Sequence, residues 1–123
     1  SLWDSNDGSI VSKLSYGRTS MLLTGDATME TEKIVLARSS TGELKSTILK
    51  VGHHGSRTST SEEFVKAISP DLALISSGKD NNYGHPHRDV LQALEKFGVK
   101  TLRTDILGTI ILSCDKIGTC RTN

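Results

Sequence analysis

Leu49-Lys50-Val51-Gly52-His53-His54-Gly55-Ser56 is the stretch on which the reading of this chain turns. A short apolar run, residues 47–51, has strand character and ends in two adjacent histidines and a Gly-Ser pair. Neighbouring residues on an extended chain point to opposite sides, so both imidazoles can serve one ion only if the backbone turns between them. One metal ligand and one proton-transferring histidine is the more economical division. Gly55 permits close approach of the backbone to a ligand, and the Ser56 hydroxyl suits an oxyanion. The bland alternative is a solvated loop that happens to hold two histidines.

The same arrangement recurs in both directions from that stretch. Met21-Leu22-Leu23-Thr24-Gly25 is another strand-like run and delivers Asp26 at its end, where a helix-capping aspartate is the competing explanation. Residues 72–76 form a continuous apolar strand, a polar loop covers 78–84, and Tyr83-Gly84-His85-Pro86-His87 follows. All four histidines therefore fall in two clusters, each after a strand. Imidazoles and a carboxylate collected at strand ends are the donor set a divalent ion needs. Pro86 suits the first turn of a helix, which places His85 at its mouth and exposes N–H groups to an anion. His87 reads as a surface residue beyond the metal. Lys50 faces solvent or the edge of the site, and Asp105 of Arg103-Thr104-Asp105 reads as a turn former.

Periodicity completes the element order. Residues 10–16 put Ile10, Leu14 and Tyr16 on one face of a half-buried strand that pairs through Gly17-Arg18 with a strand over 20–24. A helix starts near Thr28 with acids in its first turn. A second follows a capping box with Thr60 as cap and Glu63 three residues later, buries Phe64, Val65 and Ile68, and stops at Pro70. A third runs over 88–97 to Gly98. Strands over 100–103 and 109–113 finish the chain. The expected order is β-β-α-β-α-β-α-β-β, an α/β (α+β) single domain over residues 1–123 with helices packed on a sheet.

Composition narrows the function classes. With 123 residues, 35% hydrophobic, and a net charge of +1, the chain can bury a core, and its interleaved charges form no basic stripe for nucleic acid or lipid. No apolar run approaches the roughly 18 residues of a membrane span. Cys114 and Cys120 read as two ordinary thiols, although oxidation could close the turn between them. The start at Ser1-Leu2-Trp3-Asp4, without an initiating Met, reads as an excised segment.

Taken in order, Asn6-Asp7-Gly8-Ser9-Ile10-Val11, Leu22-Leu23-Thr24-Gly25-Asp26, the His53-His54-Gly55-Ser56 stretch, Tyr83-Gly84-His85-Pro86-His87 and Arg103-Thr104-Asp105-Ile106-Leu107-Gly108-Thr109-Ile110 resemble the C-terminal half of the metallo-β-lactamase-fold domain of ComEC-type DNA-uptake proteins. The resemblance implies part of an αβ/βα four-layer sandwich, with one or two zinc or manganese ions at the sheet edges. It implies Asp26 as a metal ligand, commonly bridging, together with His54 and His85. His53 and Ser56 become the catalytic pair, with the roles of His53 and His54 interchangeable under the resemblance. The implied activity is a phosphodiesterase or nuclease acting on DNA, in an extracytoplasmic domain of a bacterial membrane protein; a secreted or cytoplasmic soluble hydrolase is the alternative. The family's His-x-His-x-Asp-His signature is absent from this sequence. The N-terminal half of the same domain is thus an expected partner, and this segment alone is expected to be inactive, to make no membrane contact itself, and to expose an apolar face that a homodimer could hide. A hydrolase of small or surface-attached esters, or a non-catalytic partner-binding half-domain, remains open.

Overall fold

Gly17 makes the first turn. Strands β1 (Ser12–Tyr16) and β2 (Thr19–Leu23) pair antiparallel around it. Its φ is +60°, and a Cβ there would lie 2.5 Å from the carbonyl oxygen of Lys116, so no other residue fits without displacing the C-terminal turn. In the computed structural model, which describes residues 5–123, the chain then alternates helix and strand: α1 (Met29–Arg38), β3 (Ile48–Lys50), α2 (Glu62–Ile68), β4 (Leu72–Ile75), α3 (Arg88–Lys96) and β5 (Lys100–Arg103). Residues 1–4, on which the excised-segment reading rests, lie outside that range. The five strands form one sheet in the order β1-β2-β3-β4-β5, with β2 to β5 parallel.

Register separates the two faces. Leu22, Leu49 and Ala73 form one row across the sheet, packed under Phe64, Val65 and Ile68 of α2 and Val90 and Leu94 of α3. The next row, Leu14, Met21, Ile48 and Leu72, points to the opposite face because side chains alternate along a strand. Among the described residues only a small hairpin reaches that face. Its strands, β6 (Leu112–Cys114) and β7 (Cys120–Thr122), leave a cavity of about 320 Å³ between Leu112, Tyr16, Met21 and Leu74. One helical layer on one sheet is half of an αβ/βα sandwich, and it matches the expected class.

Several expectations change in detail. Residues 12–16 are exposed on both faces rather than half-buried, with Leu14 at 65% and Tyr16 at 55%, because among the described residues only the β6–β7 hairpin reaches the face they share and it leaves them largely open. The cap of α2 is Ser61, whose side chain accepts the Phe64 N–H, while Thr60 takes φ +65° and gives its own N–H to Glu32. The strand expected over 109–113 is shifted to Leu112–Cys114 by a one-turn helix, α4 (Thr104–Leu107). The sequence reading had no β7. Cys114 and Cys120 are joined as a disulfide rather than left as thiols, closing that terminal hairpin.

Candidate metal centre

Parallel strands β2, β3, β4 and β5 all end on the same edge of the sheet, so the residues that follow them are brought together in space. After β2, the chain turns at Gly25 and places Asp26 half-buried, its N–H donated to the Ser9 hydroxyl at 3.1 Å. Asp26 does not cap α1. Thr28 does, accepting the Thr31 N–H, and the Asp26 carboxylate has no hydrogen bond or ion pair among the described residues. After β3, the His53 N–H donates to the Gly25 carbonyl at 2.9 Å, which locks the histidine turn onto the aspartate turn.

The histidine pair solves the problem posed by adjacency. His53 and His54 both adopt left-handed backbone, φ 47° and φ 57°, in a tight 3-10 turn over Gly52–Gly55. Two consecutive non-glycine residues there are costly, about 1–3 kcal/mol each, and such strain collects at functional sites. The result is that both rings stay on the same edge, 6.4 Å apart between centroids. His54 Nδ1 donates to the Ser76 carbonyl at 2.7 Å, which fixes its tautomer and leaves Nε2 with a free lone pair. His53 Nδ1 is buried and has no hydrogen-bond partner among the described residues. Unsatisfied buried nitrogens are rare, and an unbound ion is one of the few things that explain them.

His85 arrives from the far side. Asn81 holds its loop by accepting the His85 N–H and donating to the His85 carbonyl, and Tyr83 stacks on the ring at 5.6 Å. The His85 ring lies 5.9 Å from that of His53. Desolvation first, and then the neighbouring His53, His54 and His87, depress its pKa, so the imidazole stays neutral and able to ligate. Gly55 makes the approach possible: a Cβ on it would stand 2.6 Å from Pro86 Cβ. The His87 N–H donates to the Gly55 carbonyl at 2.8 Å, sealing the two histidine loops together.

The remaining residues fall outside this cluster. The Ser56 hydroxyl is turned into its own loop, paired with Thr58 Oγ1 at 2.9 Å and accepting the Thr58 N–H. His87, rather than Pro86, begins α3: it is the cap, its Nδ1 accepting the Asp89 N–H at 3.2 Å. With that cap filled and Asp89 in the first turn, the helix end is not the open anion site expected from sequence. Lys50 is half-buried and donates to the Val51 carbonyl; desolvation lowers its pKa while the Asp26 charge opposes the shift. Asp105 is more than a turn former: Arg103 donates to it through Nε at 3.0 Å and Nη2 at 2.7 Å, depressing the carboxyl pKa.

Sequence reasoning missed Glu32. It is 2% exposed, and its carboxylate accepts the N–H groups of Thr60 and Ser61, tying α1 to the end of the histidine loop. Burial without a cationic partner raises its pKa. Glu32 lies in an unremarkable helical stretch, and no local pattern in the chain marks it.

Clustered imidazoles, a carboxylate without an ion pair among the described residues and an orphaned buried nitrogen suit zinc or manganese. Among the described residues, however, no three His, Cys, Asp or Glu side chains are grouped closely enough to hold an ion by themselves. The donors gather along one edge as an incomplete set.

Comparison with known proteins agrees with that architecture. Residues 2–79 match the family described as the metallo-beta-lactamase superfamily. The chain is 46% identical over 105 residues to ComE operon protein 3 of Bacillus subtilis (strain 168), covering 85% of this chain and 13% of that protein. It is 39% identical over 107 residues to competence protein ComA of Neisseria gonorrhoeae, covering 87% of this chain and 15% of that one. Recombination protein 2 of Haemophilus influenzae is 40% identical over 105 residues, 85% of this chain and 13% of its own length. The chain thus spans about an eighth to a seventh of these relatives. The likeness to ComEC-type proteins read from the motifs is borne out.

Proposed function

Because this chain belongs to the metallo-β-lactamase superfamily, we propose that it forms the C-terminal portion of a divalent-metal-dependent phosphodiesterase domain that cuts DNA during uptake in natural competence. The observation that carries this is the histidine edge: His53, His54 and His85 held together on strained and interlocked loops, with a buried nitrogen of His53 left unpaired. Members of the superfamily generally use divalent ions, typically zinc. Here Asp26, His54 and His85 would hold the ion, completed by ligands from the N-terminal half of the domain. When bound, a divalent ion supplies Lewis acidity toward a phosphate oxygen and a strong nucleophile from water near neutral pH.

The chain's own residues do the rest. Asp26 brings a negative charge that forms no ion pair among the described residues, which favours a cationic occupant of the edge. His54 presents Nε2 in a fixed tautomer because Nδ1 is committed to Ser76. His53, adjacent to His54, would carry a proton to the leaving oxygen. Ser56 would donate to a phosphate if Thr58 Oγ1 donates within their hydroxyl pair, and loop N–H groups are the alternative donors. The names of the relatives place them in competence and recombination, which supports DNA as the substrate. An extracytoplasmic position suits the Cys114–Cys120 disulfide, since such bonds persist in oxidising compartments. No helix among the described residues is long and apolar enough to cross a membrane.

The test uses a longer domain carrying the upstream half. It should cleave labelled single-stranded or duplex DNA with Mn²⁺ or Zn²⁺ and stop when a chelator is added. Asp26→Ala should remove turnover, and the present chain alone should be near background. Hydrolysis of small carboxylic esters with no DNA cleavage would refute the proposal in favour of an ester hydrolase. Metal-loaded protein inert toward both substrates would make it a binding half-domain.

A further inference from the structure

A second polar cavity, of about 420 Å³, opens at the opposite end of the sheet from the histidines. It lies where β2, β3 and β4 begin, and Lys13, Arg18 and Lys45 line it beside Ser20, Thr47 and Asp71. These three cations come from separate segments, so the interleaved charges of the sequence hide them. Lys13 is fixed in place, donating to the carbonyls of Glu43 at 3.1 Å and Lys45 at 2.7 Å. An ammonium carries three donors, so one remains. The side chains of Arg18 and Lys45 make no hydrogen bond or ion pair among the described residues. Ser20 Oγ accepts the Thr47 N–H and so keeps its own proton to donate. Against three cations the lining offers one carboxylate, Asp71; the neighbouring Glu43 is engaged by the Ser40 N–H and hydroxyl.

Orientation keeps this groove open. Lys13 stands in register with Leu22, a core residue on the helical side of the sheet, so the cavity faces away from the bare apolar side where another layer would pack. Thr47 stands just before β3 and the histidine turn just after it, so about 13 Å of extended chain separates the groove from the histidine edge. Cations spread around an open groove, at a fixed distance from a cutting site, match a chain of phosphates better than one enclosed anion.

We propose that this groove is a phosphate-binding site for a nucleic-acid strand, holding its backbone several nucleotides from the bond at the histidine edge. The proposal rests on the phosphodiesterase reading for its substrate and adds where the strand is gripped. The test is a titration of the isotopically labelled chain, followed by amide NMR, with a twelve-nucleotide oligo-dT, a three-nucleotide oligo-dT and inorganic phosphate in separate arms. The oligo-dT of twelve should shift the amides of Arg18, Lys45 and Thr47. The folded double variant Arg18→Gln/Lys45→Gln should bind it about tenfold more weakly, and the slope of log affinity against log salt should fall by about 1.4, near 0.7 per lost single-strand contact. The three-nucleotide oligomer should not distinguish the variant from the parent. Shifts confined to residues near 26, 53–56 and 85 would overturn the groove and leave the function intact. Shifts in the groove with inorganic phosphate alone, and none with oligonucleotide, would overturn it as a strand site. Binding in the groove by a longer domain that cuts no DNA would refute the phosphodiesterase and spare the groove.

Discussion

Glu32 shows how much a single side chain outside the metal edge can govern it. Its two oxygens hold the N–H groups of Thr60 and Ser61, and so anchor the far end of the loop that carries the histidines. Desolvation outweighs those hydrogen bonds and raises its pKa above the ordinary 4.5. A raised carboxyl pKa means that the native state keeps its proton longer than the unfolded chain does. The associated stability is therefore complete below about pH 4.5 and declines as pH rises through the folded value. Glu32→Gln cannot accept both N–H groups and should cost about 1–3 kcal/mol. It should also lack that decline, so that urea melts from pH 4 to 7 find parent and variant drawing closer as pH rises; a constant gap would contradict the assignment. At Asp26 the expectation is the reverse. Asp26→Ala should leave the melt nearly unchanged while removing turnover in the longer domain, whereas Thr28→Ala, which removes the cap of α1, should cost about 1 kcal/mol.

At the scale of elements, the histidine turn depends on two loops fitting against each other. Gly55→Ala would place a methyl carbon 2.6 Å from Pro86 Cβ at φ +83°, and should destabilise by about 2 kcal/mol while displacing His85. A thermal melt together with metal affinity measures both effects. Ser61→Ala should cost about 1 kcal/mol, and Thr60→Ala less, because Ser61 is the cap of α2. That distinction was not legible from sequence: Thr60-Ser61-Glu62-Glu63 contains two plausible caps, and the choice is made by Glu32 from another helix. The strand-end positions of Asp26, His53, His54 and His85 were legible, since each follows an apolar run ended by glycine or a polar loop. The left-handed turn at His53-His54 was not, because nothing local requires φ above zero of two histidines; the fit of Gly55 against Pro86 enforces it. β7 escaped because Lys116-Ile117-Gly118-Thr119 has no alternation, and the hairpin depends on the covalent link between Cys114 and Cys120.

For the whole molecule, the bare side of the sheet is the dominant feature. Ile10, Leu14 and Tyr16 are 81%, 65% and 55% exposed, and Leu14 and Tyr16 border the apolar cavity beneath Leu112. The alternation of residues 10–16 was readable, but which neighbour covers them is not encoded in those residues. The isolated chain should therefore self-associate or bind a hydrophobic dye, and Leu14→Lys with Tyr16→Lys should abolish both; sedimentation showing a dye-free parent monomer would contradict this. The order of the sheet has a consequence for how the molecule comes into being. Strand order follows chain order from β1 to β5, so each strand docks on the one formed just before it and no pairing waits for a distant segment. Each parallel pairing must still close a helical crossover, but each crossover joins neighbouring strands, so pairing can proceed stepwise along the chain and independently of other segments. This portion should assemble before any other half reaches it, so two separately expressed halves should find each other as preformed pieces and restore activity on mixing.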